Sequence, residues 1–94
     1  MVRYIPYKSM TAKKWDSLGE ELTIKQALDL WWNSVRVRTK KGTITCYKTY
    51  DNEYIVNGNY ATKDQLNKTI LLDEEYDLDA DNYPIVFATL RGTL

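Results

Sequence analysis

Three short β-strands separated by turns are predicted between residues 35 and 60. Residues 35–39 alternate apolar and charged side chains with a period of two, and residues 43–50 and 53–56 are rich in Thr, Tyr and Ile. Turn-forming residues follow each strand, at Lys40-Lys41-Gly42, Asp51-Asn52 and Asn57-Gly58. Because strands joined by such short turns run antiparallel, this part of the chain predicts a β-meander and an antiparallel sheet.

The turn at Lys41-Gly42 predicts a register for the first hairpin. A two-residue loop there would pair Val37 with Cys46 and Thr39 with Ile44. Alternation then places these side chains on one face of the meander: Val37, Ile44, Cys46 and Ile55. The other face would carry Arg36, Arg38, Tyr47, Tyr54 and Val56. Since both faces hold apolar groups, either a helix covers each face or the second face is a binding surface.

Two helices are predicted by the same capping box, in which a threonine is followed three residues later by a glutamine. Thr23 and Gln26 form the first box, and Thr62 and Gln65 form the second. After the first box, apolar residues recur at helical spacing over residues 24–35, which predicts the main amphipathic helix. Two shorter helices are predicted at residues 12–18 and 63–71.

Together these elements predict a single α+β domain over residues 1–94, a chain length typical of one domain. Residues 2–5 and 83–90 add a first and a last strand, and the last is nearly continuously apolar and therefore buried. The predicted fold is a small antiparallel sheet, a meander of about four to five strands, packed against one main amphipathic helix and one or two short helices.

Positive and negative charges are separated along the chain. Residues 1–50 hold ten Lys and Arg and four Asp and Glu, whereas residues 51–94 hold three and nine. The two parts therefore carry net charges of +6 and −6, which cancel in the whole chain. A separation of this size favours a charged partner over chemistry on a small molecule.

The composition excludes most catalytic and metal-binding arrangements. The chain has no histidine and a single cysteine, Cys46, which excludes His-containing triads and zinc sites, four-cysteine zinc sites and CxxC redox pairs. Asp77, Asp79 and Asp81 match the start of a calcium loop, but Ala88 stands where the bidentate glutamate belongs. We therefore expect a non-enzymatic protein without a metal ion or cofactor, in which Cys46 is a buried thiol.

No apolar segment is long enough to form a signal peptide or a membrane span, and a single cysteine allows no internal disulfide. A small secreted domain without disulfides is unusual. These features favour a cytoplasmic protein without membrane contact, acting in the host cell cytoplasm if it is phage-encoded.

The densest charged segment is residues 73–81, which hold six carboxylates and are predicted to form an exposed loop. This loop has three interpretations: a solvated surface, an intramolecular complement to the basic hairpin, or a contact surface for a basic partner. Interleaved tyrosines favour the third, since they add apolar contact to ion pairing with lysines and arginines. The candidate partner-binding residues are Asp73, Glu74, Glu75, Tyr76, Asp77, Asp79, Asp81 and Tyr83.

The basic hairpin is the alternative binding surface. Aromatic side chains among cations on an exposed sheet are the arrangement that stacks single-stranded bases, although the RNP1 pattern of RNA-recognition sheets is absent. A solvated strand face and contact with an acidic protein are the other interpretations. The candidate nucleic-acid-binding residues are Arg36, Arg38, Lys40, Lys41, Tyr47 and Lys48.

Small size, missing catalytic residues and an acidic, tyrosine-containing segment favour a binding protein that acts as an inhibitor or antagonist. This profile resembles that of small phage-encoded antagonists of bacterial defence, anti-CRISPR proteins among them, and of DNA mimics. Its expected partner is a basic, nucleic-acid-handling protein. The alternatives are a nucleic-acid-binding domain that uses the basic hairpin and a self-associating structural or assembly protein.

Overall fold

The structure is a computed structural model that describes residues 12–32, 34–81 and 83–93. The predicted strand at residues 2–5 lies outside the described residues. Ten elements follow one another in the described part: α1 Ala12–Ser17, β1 Glu21–Thr23, α2 Ile24–Leu30, β2 Val35–Thr39, β3 Gly42–Lys48, β4 Tyr54–Val56, β5 Asn59–Tyr60, α3 Lys63–Leu66, β6 Thr69–Leu78 and β7 Pro84–Leu90.

The predicted antiparallel sheet of four to five strands is wrong, because the structure forms one curled, mixed sheet of seven strands. Its order is β1-β6-β7-β2-β3-β4-β5. The strands β2 and β7 run parallel, and all other neighbours run antiparallel. The prediction missed that β7 pairs with β2 and so adds the β6–β7 hairpin to the sheet of the meander. This pairing joins residues that are distant in the sequence, and short-range patterns do not indicate it.

The predicted main helix is also wrong in length, although its start is correct. Both halves of the capping box form: Thr23 Oγ1 accepts a hydrogen bond from Gln26 N at 3.1 Å, and Thr23 N donates one to Gln26 Oε1 at 3.0 Å. The helix ends at Leu30 rather than near Val35, because Val35 pairs with both Cys46 and Val86 in the sheet. A two-turn helix therefore packs on a sheet that dominates the fold.

The second capping box, at Thr62 and Gln65, also forms, but the helix after it has only four residues. Residues 69–71 belong to β6 rather than to this helix. They alternate half-buried and buried side chains, and they pair with β1 on one side and with β7 on the other. Long-range pairing with two strands outweighs the local helical preference.

The hairpin register differs from the predicted one by two residues. The loop is Lys40-Lys41, so that Thr39 pairs with Gly42 and Val37 pairs with Ile44. Thr39 Oγ1 fastens this turn, since it donates to Gly42 O at 2.7 Å and accepts from Lys41 N at 3.1 Å. Because a shift of two residues preserves the faces, β2 and β3 keep their predicted inward residues.

The faces of β4 are inverted relative to the prediction. Val56 pairs with Cys46 and is buried with it, whereas Ile55 pairs with Tyr47 on the opposite face. The turn at Asn57 and Gly58 forms as predicted, with φ values of 53° and 85°, and it connects β4 to β5.

One core lies between α2 and the inner face of the sheet, which is the face that carries Val37 and Cys46. Burial raises the pKa of the Cys46 thiol to about 11, which agrees with the predicted buried, unreactive cysteine. None of the described helices has the length and apolar character that a membrane span requires. The buried core residues are Ile24, Ala27, Leu28, Trp31, Val35, Val37, Cys46, Val56, Ile70, Leu72, Val86 and Ala88.

A buried serine connects α1 to this core, and its removal should destabilise the protein. Ser17 Oγ accepts a hydrogen bond from Trp31 Nε1 at 2.9 Å and donates one to Lys14 O at 2.7 Å. Ser17→Ala leaves the buried indole N–H without its acceptor, so we expect the free energy of unfolding in urea to fall by about 1–3 kcal/mol. Ser34→Ala is the control, since the Ser34 side chain is only half-buried. Equal losses in both variants would contradict this role of Ser17.

Candidate binding cleft

The acidic segment is a strand and a turn, so the predicted exposed loop is wrong. Residues 73–78 belong to β6, and residues 79–81 and 83 lie in the connection to β7. Two extra residues are accommodated in β6 between Leu72 and Tyr76, which pair with Ala88 and Val86. The Tyr76 side chain is only 3% exposed, and burial raises its pKa. Tyr76 is therefore a core residue rather than a contact for a partner.

The basic hairpin and the acidic segment meet on the outer face of the sheet, the face that carries Arg36 and Arg38. Arg38 donates two hydrogen bonds to the Asp73 carboxylate, at 3.1 and 2.7 Å. These bonds raise the pKa of Arg38 above its usual range. Phe87 of the intervening strand β7 lies beneath both arginines, with its ring centroid 5.9 Å from Arg36 Cζ and 5.5 Å from Arg38 Cζ. One basic side chain of the hairpin is therefore paired with one acidic side chain of residues 73–81 within the molecule.

The Arg38–Asp73 pair should contribute little to stability, because both side chains are partly exposed to solvent. A double-mutant cycle with Arg38→Gln and Asp73→Asn should give a coupling energy of at most about 1 kcal/mol, measured by urea unfolding. We expect the coupling to decrease in 1 M salt, since salt screens charges at the surface. A coupling that is larger and independent of salt would contradict this assignment.

The charge of Lys48 is also paired with a carboxylate, but on the inner face of the sheet. Its Nζ lies 3.0 Å from Asp29 Oδ1, which accepts a further hydrogen bond from Tyr54 OH at 2.6 Å. Lys25 Nζ contacts Asp29 Oδ2 at 3.0 Å. Although burial acts to raise the pKa of Asp29, the hydrogen bonds from Tyr54, Lys48 and Lys25 hold it below its usual range. Two of the candidate nucleic-acid-binding residues, Arg38 and Lys48, thus have internal carboxylate partners.

Four exposed aromatic side chains line a single cleft of about 470 Å³ at one end of the sheet. Lys48, Thr49 and Asp79 complete its lining. We call this site the aromatic cleft. Its aromatic residues are Trp32, Tyr47, Tyr50 and Tyr83.

The parallel pairing of β2 and β7 builds the aromatic cleft. Since parallel strands begin at the same end of a sheet, the segments that precede β2 and β7 lie side by side, and they carry Trp32 and Tyr83. The strand β3 runs antiparallel to β2 and ends there too, which brings Tyr47 and Tyr50 to the same place. A backbone hydrogen bond of 3.0 Å from Lys48 N to Trp32 O joins the end of β3 to the segment that precedes β2.

A second, smaller cleft of about 270 Å³ adjoins the first, and Trp32 and Tyr50 line both. The centroids of these two rings are 5.6 Å apart, and their planes are inclined at 58°. The Tyr50 side chain is 90% exposed, so most of its ring is accessible to solvent. Asp29 and Asn52 give the smaller cleft a polar lining.

Asp79 positions Tyr83 at the edge of the aromatic cleft. Its Oδ1 accepts hydrogen bonds from Asp81 N at 2.8 Å and from Tyr83 N at 2.9 Å, and Asp79 N donates to Tyr83 O at 3.0 Å. Within the described part of the chain, no lysine or arginine forms an ion pair with Asp79. The cleft therefore combines exposed aromatic side chains with a carboxylate that pairs with no described lysine or arginine.

The two predicted sites are thus divided differently in the structure. Tyr47 and Lys48 of the basic set join Asp79 and Tyr83 of the acidic set in the aromatic cleft. Lys40 and Lys41 lie in the turn at the other end of β2 and β3. The remaining acidic residues, which do not line the aromatic cleft, are Asp73, Glu74, Glu75, Asp77 and Asp81.

The sequence prediction missed Trp32 and Tyr50 as site residues. Trp32 falls within residues 24–35, which the sequence predicts to be helical, but the helix ends at Leu30. For Tyr50 a signal was present, because an aromatic residue beside the polar turn residues Asp51 and Asn52 is expected to be exposed.

No protein family model, curated protein or solved structure matches this chain. Among the described residues, no three potential metal ligands come together, and the Asp79 carboxylate serves the turn rather than a calcium loop.

Proposed function

We propose that this protein is a small, non-enzymatic protein-binding module that acts as an inhibitor or antagonist. Its binding surface is the aromatic cleft with the acidic turn beside it, and its partner presents a basic segment. One observation carries this proposal: four exposed aromatic residues from three separate segments meet in one cleft with Asp79, which has no internal cation among the described residues.

The chemistry of the cleft supports a protein partner. Tyrosine and tryptophan are the residues that most often dominate the energy of protein–protein contacts, because they bury a large rigid area and keep a polar end. The exposed carboxylates of Asp79 and Asp81 add a negative rim. A basic segment satisfies both features, since its aliphatic stems cover apolar rings while its charged ends pair with carboxylates.

An inhibitor follows from this surface if the bound segment is the partner's own nucleic-acid-binding site. A partner that handles nucleic acid presents lysines and arginines to phosphate, and an acidic protein bound there excludes the nucleic acid. DNA-mimic proteins block nucleic-acid-binding proteins in this way, so the proposed antagonist is of the phage-encoded, anti-CRISPR-like or DNA-mimic-like type and would act in the host cytoplasm.

Nucleic acid is a weaker candidate than a protein. The exposed lysines at the hairpin turn and the aromatic cleft lie at opposite ends of β2 and β3, so they do not form one stacking platform. Arg38 is paired with Asp73, and Lys48 is paired with Asp29.

Affinity capture from lysate of the native host, with and without nuclease, tests this proposal. We expect a basic protein to remain bound after nuclease treatment and to elute as the salt concentration rises, since ion pairs at a surface are screened by salt. Recovery of RNA or DNA alone, or capture that nuclease abolishes, would support the nucleic-acid alternative instead. Light scattering of the purified protein tests the third alternative, self-association, which predicts an oligomer.

A further inference from the structure

We infer that the aromatic cleft receives an arginine side chain of the partner, held between open aromatic rings and the Asp79 carboxylate. This inference rests on the proposed function and names the group that the cleft recognises. Three observations support it. The described lysines and arginines contact no ring of the cleft, Arg38 makes the same kind of contact with Phe87 and Asp73, and carboxylates lie beside the cleft.

The described lysines and arginines contact three aromatic rings, and none of these rings lies in the aromatic cleft. The described residues form five cation–π contacts: Lys14 on Trp31, Lys25 and Lys48 on Tyr54, and Arg36 and Arg38 on Phe87. None of these five contacts involves a ring of the aromatic cleft. Because an aromatic face attracts a cation, the open rings are the ones that can bind a cation from outside.

The outer face of the sheet contains an internal example of the proposed contact. There the Arg38 guanidinium lies over the Phe87 ring and donates two hydrogen bonds to the Asp73 carboxylate. A planar guanidinium can stack on a ring and bind a carboxylate through two parallel hydrogen bonds at once, whereas an ammonium group cannot. The aromatic cleft offers the same two partners, ring and carboxylate, and no arginine is among the described residues that line it.

The charge around the cleft also favours a cation. Lys48 is the only lysine or arginine among the described residues that line it, and Lys48 is paired with Asp29. Asp79 lines the cleft without such a pair in the described part of the chain, and Asp81 is exposed in the same turn. A guanidinium therefore finds the Asp79 and Asp81 carboxylates beside the exposed rings, and the same carboxylates repel a nucleic-acid phosphate.

Peptide titrations followed by NMR test this inference without knowledge of the natural partner. The probes are an arginine–glycine repeat peptide, the same peptide with the neutral analogue citrulline, and the same peptide with lysine. The indole signal of Trp32, assigned with Trp32→Phe, reports on binding at the cleft. We expect the arginine peptide to bind at least about tenfold more tightly than the citrulline peptide, and more tightly than the lysine peptide.

Two variants with matched controls locate the binding. Tyr50→Ala should weaken arginine-peptide binding about fivefold, and Tyr60→Ala should not, since Tyr60 is 70% exposed but lies on β5. Asp79→Asn should weaken it about threefold, because the asparagine side-chain oxygen keeps the turn's hydrogen bonds while the charge is lost. Asp64→Asn removes a charge in α3 and should have no effect.

The outcomes separate this inference from the proposed function. Equal binding of the arginine and citrulline peptides, equal binding by wild type and Tyr50→Ala, or preferential binding of single-stranded oligouridylate at the Trp32 signal would overturn the arginine assignment. If the arginine peptide fails to bind while Trp32→Ala still abolishes capture of the basic partner, the arginine assignment is wrong but the proposed function is supported. If substitutions in the cleft affect neither peptide binding nor partner capture, both the arginine assignment and the proposed function are wrong.

Discussion

Trp32→Ala should weaken binding of the captured partner by about 30- to 1000-fold. Trp32 lines both clefts and forms a tilted ring pair with Tyr50, so its removal takes away a wall from each cleft. A tryptophan at the centre of a protein interface typically contributes about 2–4 kcal/mol, which corresponds to about 30- to 1000-fold in the dissociation constant. Isothermal titration calorimetry or surface plasmon resonance with the purified partner measures the change.

Stability must be measured beside binding, because the Trp32 side chain is only 38% exposed. We expect Trp32→Ala to lower the free energy of unfolding by about 1–2 kcal/mol, which leaves the protein folded. Tyr50→Ala gives an independent test, since the highly exposed Tyr50 contributes little to stability. Tyr60→Ala, the exposed aromatic residue on β5, should bind as the wild type does. Full binding by Trp32→Ala and Tyr50→Ala would contradict the assignment of the cleft.

Leu28→Ala should cause the largest loss of stability among single substitutions in α2, about 3 kcal/mol. The Leu28 side chain is fully buried in the core between α2 and the sheet, and truncation leaves a cavity that the sheet cannot fill. For a domain of this size, such a loss is a large fraction of the total free energy of unfolding. Urea unfolding followed by circular dichroism measures it.

Leu30→Ala is the matched control for Leu28→Ala, because it makes the same change two residues later in α2 at a half-buried position. We expect it to lose clearly less stability than Leu28→Ala. Equal losses would mean that α2 does not use its Leu28 side as the core-facing side.

Local features of the fold are predictable from the sequence. The capping box at Thr23 and the turn at Asn57-Gly58 depend on residues within a few positions of each other, and both form as predicted. The strand β2 is recognisable from its period of two. These features need no partner from elsewhere in the chain, so short-range patterns are sufficient to identify them.

Features that depend on distant pairing are not predictable in this way. The segment around Asp73 is polar and dense in charge, which is typical of a loop, yet it belongs to β6, because Leu72 before it and Tyr76 after it both pair with β7. The parallel pairing of β2 with β7 joins residues about 50 positions apart, such as Val35 with Val86. No short-range pattern indicates that pairing.

The candidate site shows the same division. Tyr47 and Tyr83 were predicted as contacts, but in two separate sites, because their charged neighbours have opposite signs. Their meeting depends on the parallel pairing of β2 and β7. The Arg38–Asp73 pair, in turn, compensates at one point the charge separation that the sequence displays. In the structure, the candidate site is therefore the aromatic cleft rather than either charged segment alone.

Mapping of amide chemical shifts on addition of the captured partner tests this account most directly. We predict that the perturbed residues surround the aromatic cleft, including Trp32, Tyr50 and residues 79–81 and 83, while the hairpin turn at Lys40-Lys41 and the edge strand β5 stay unchanged. Perturbations centred on Lys40-Lys41, with the signals of Trp32 and Tyr50 unaffected, would contradict it.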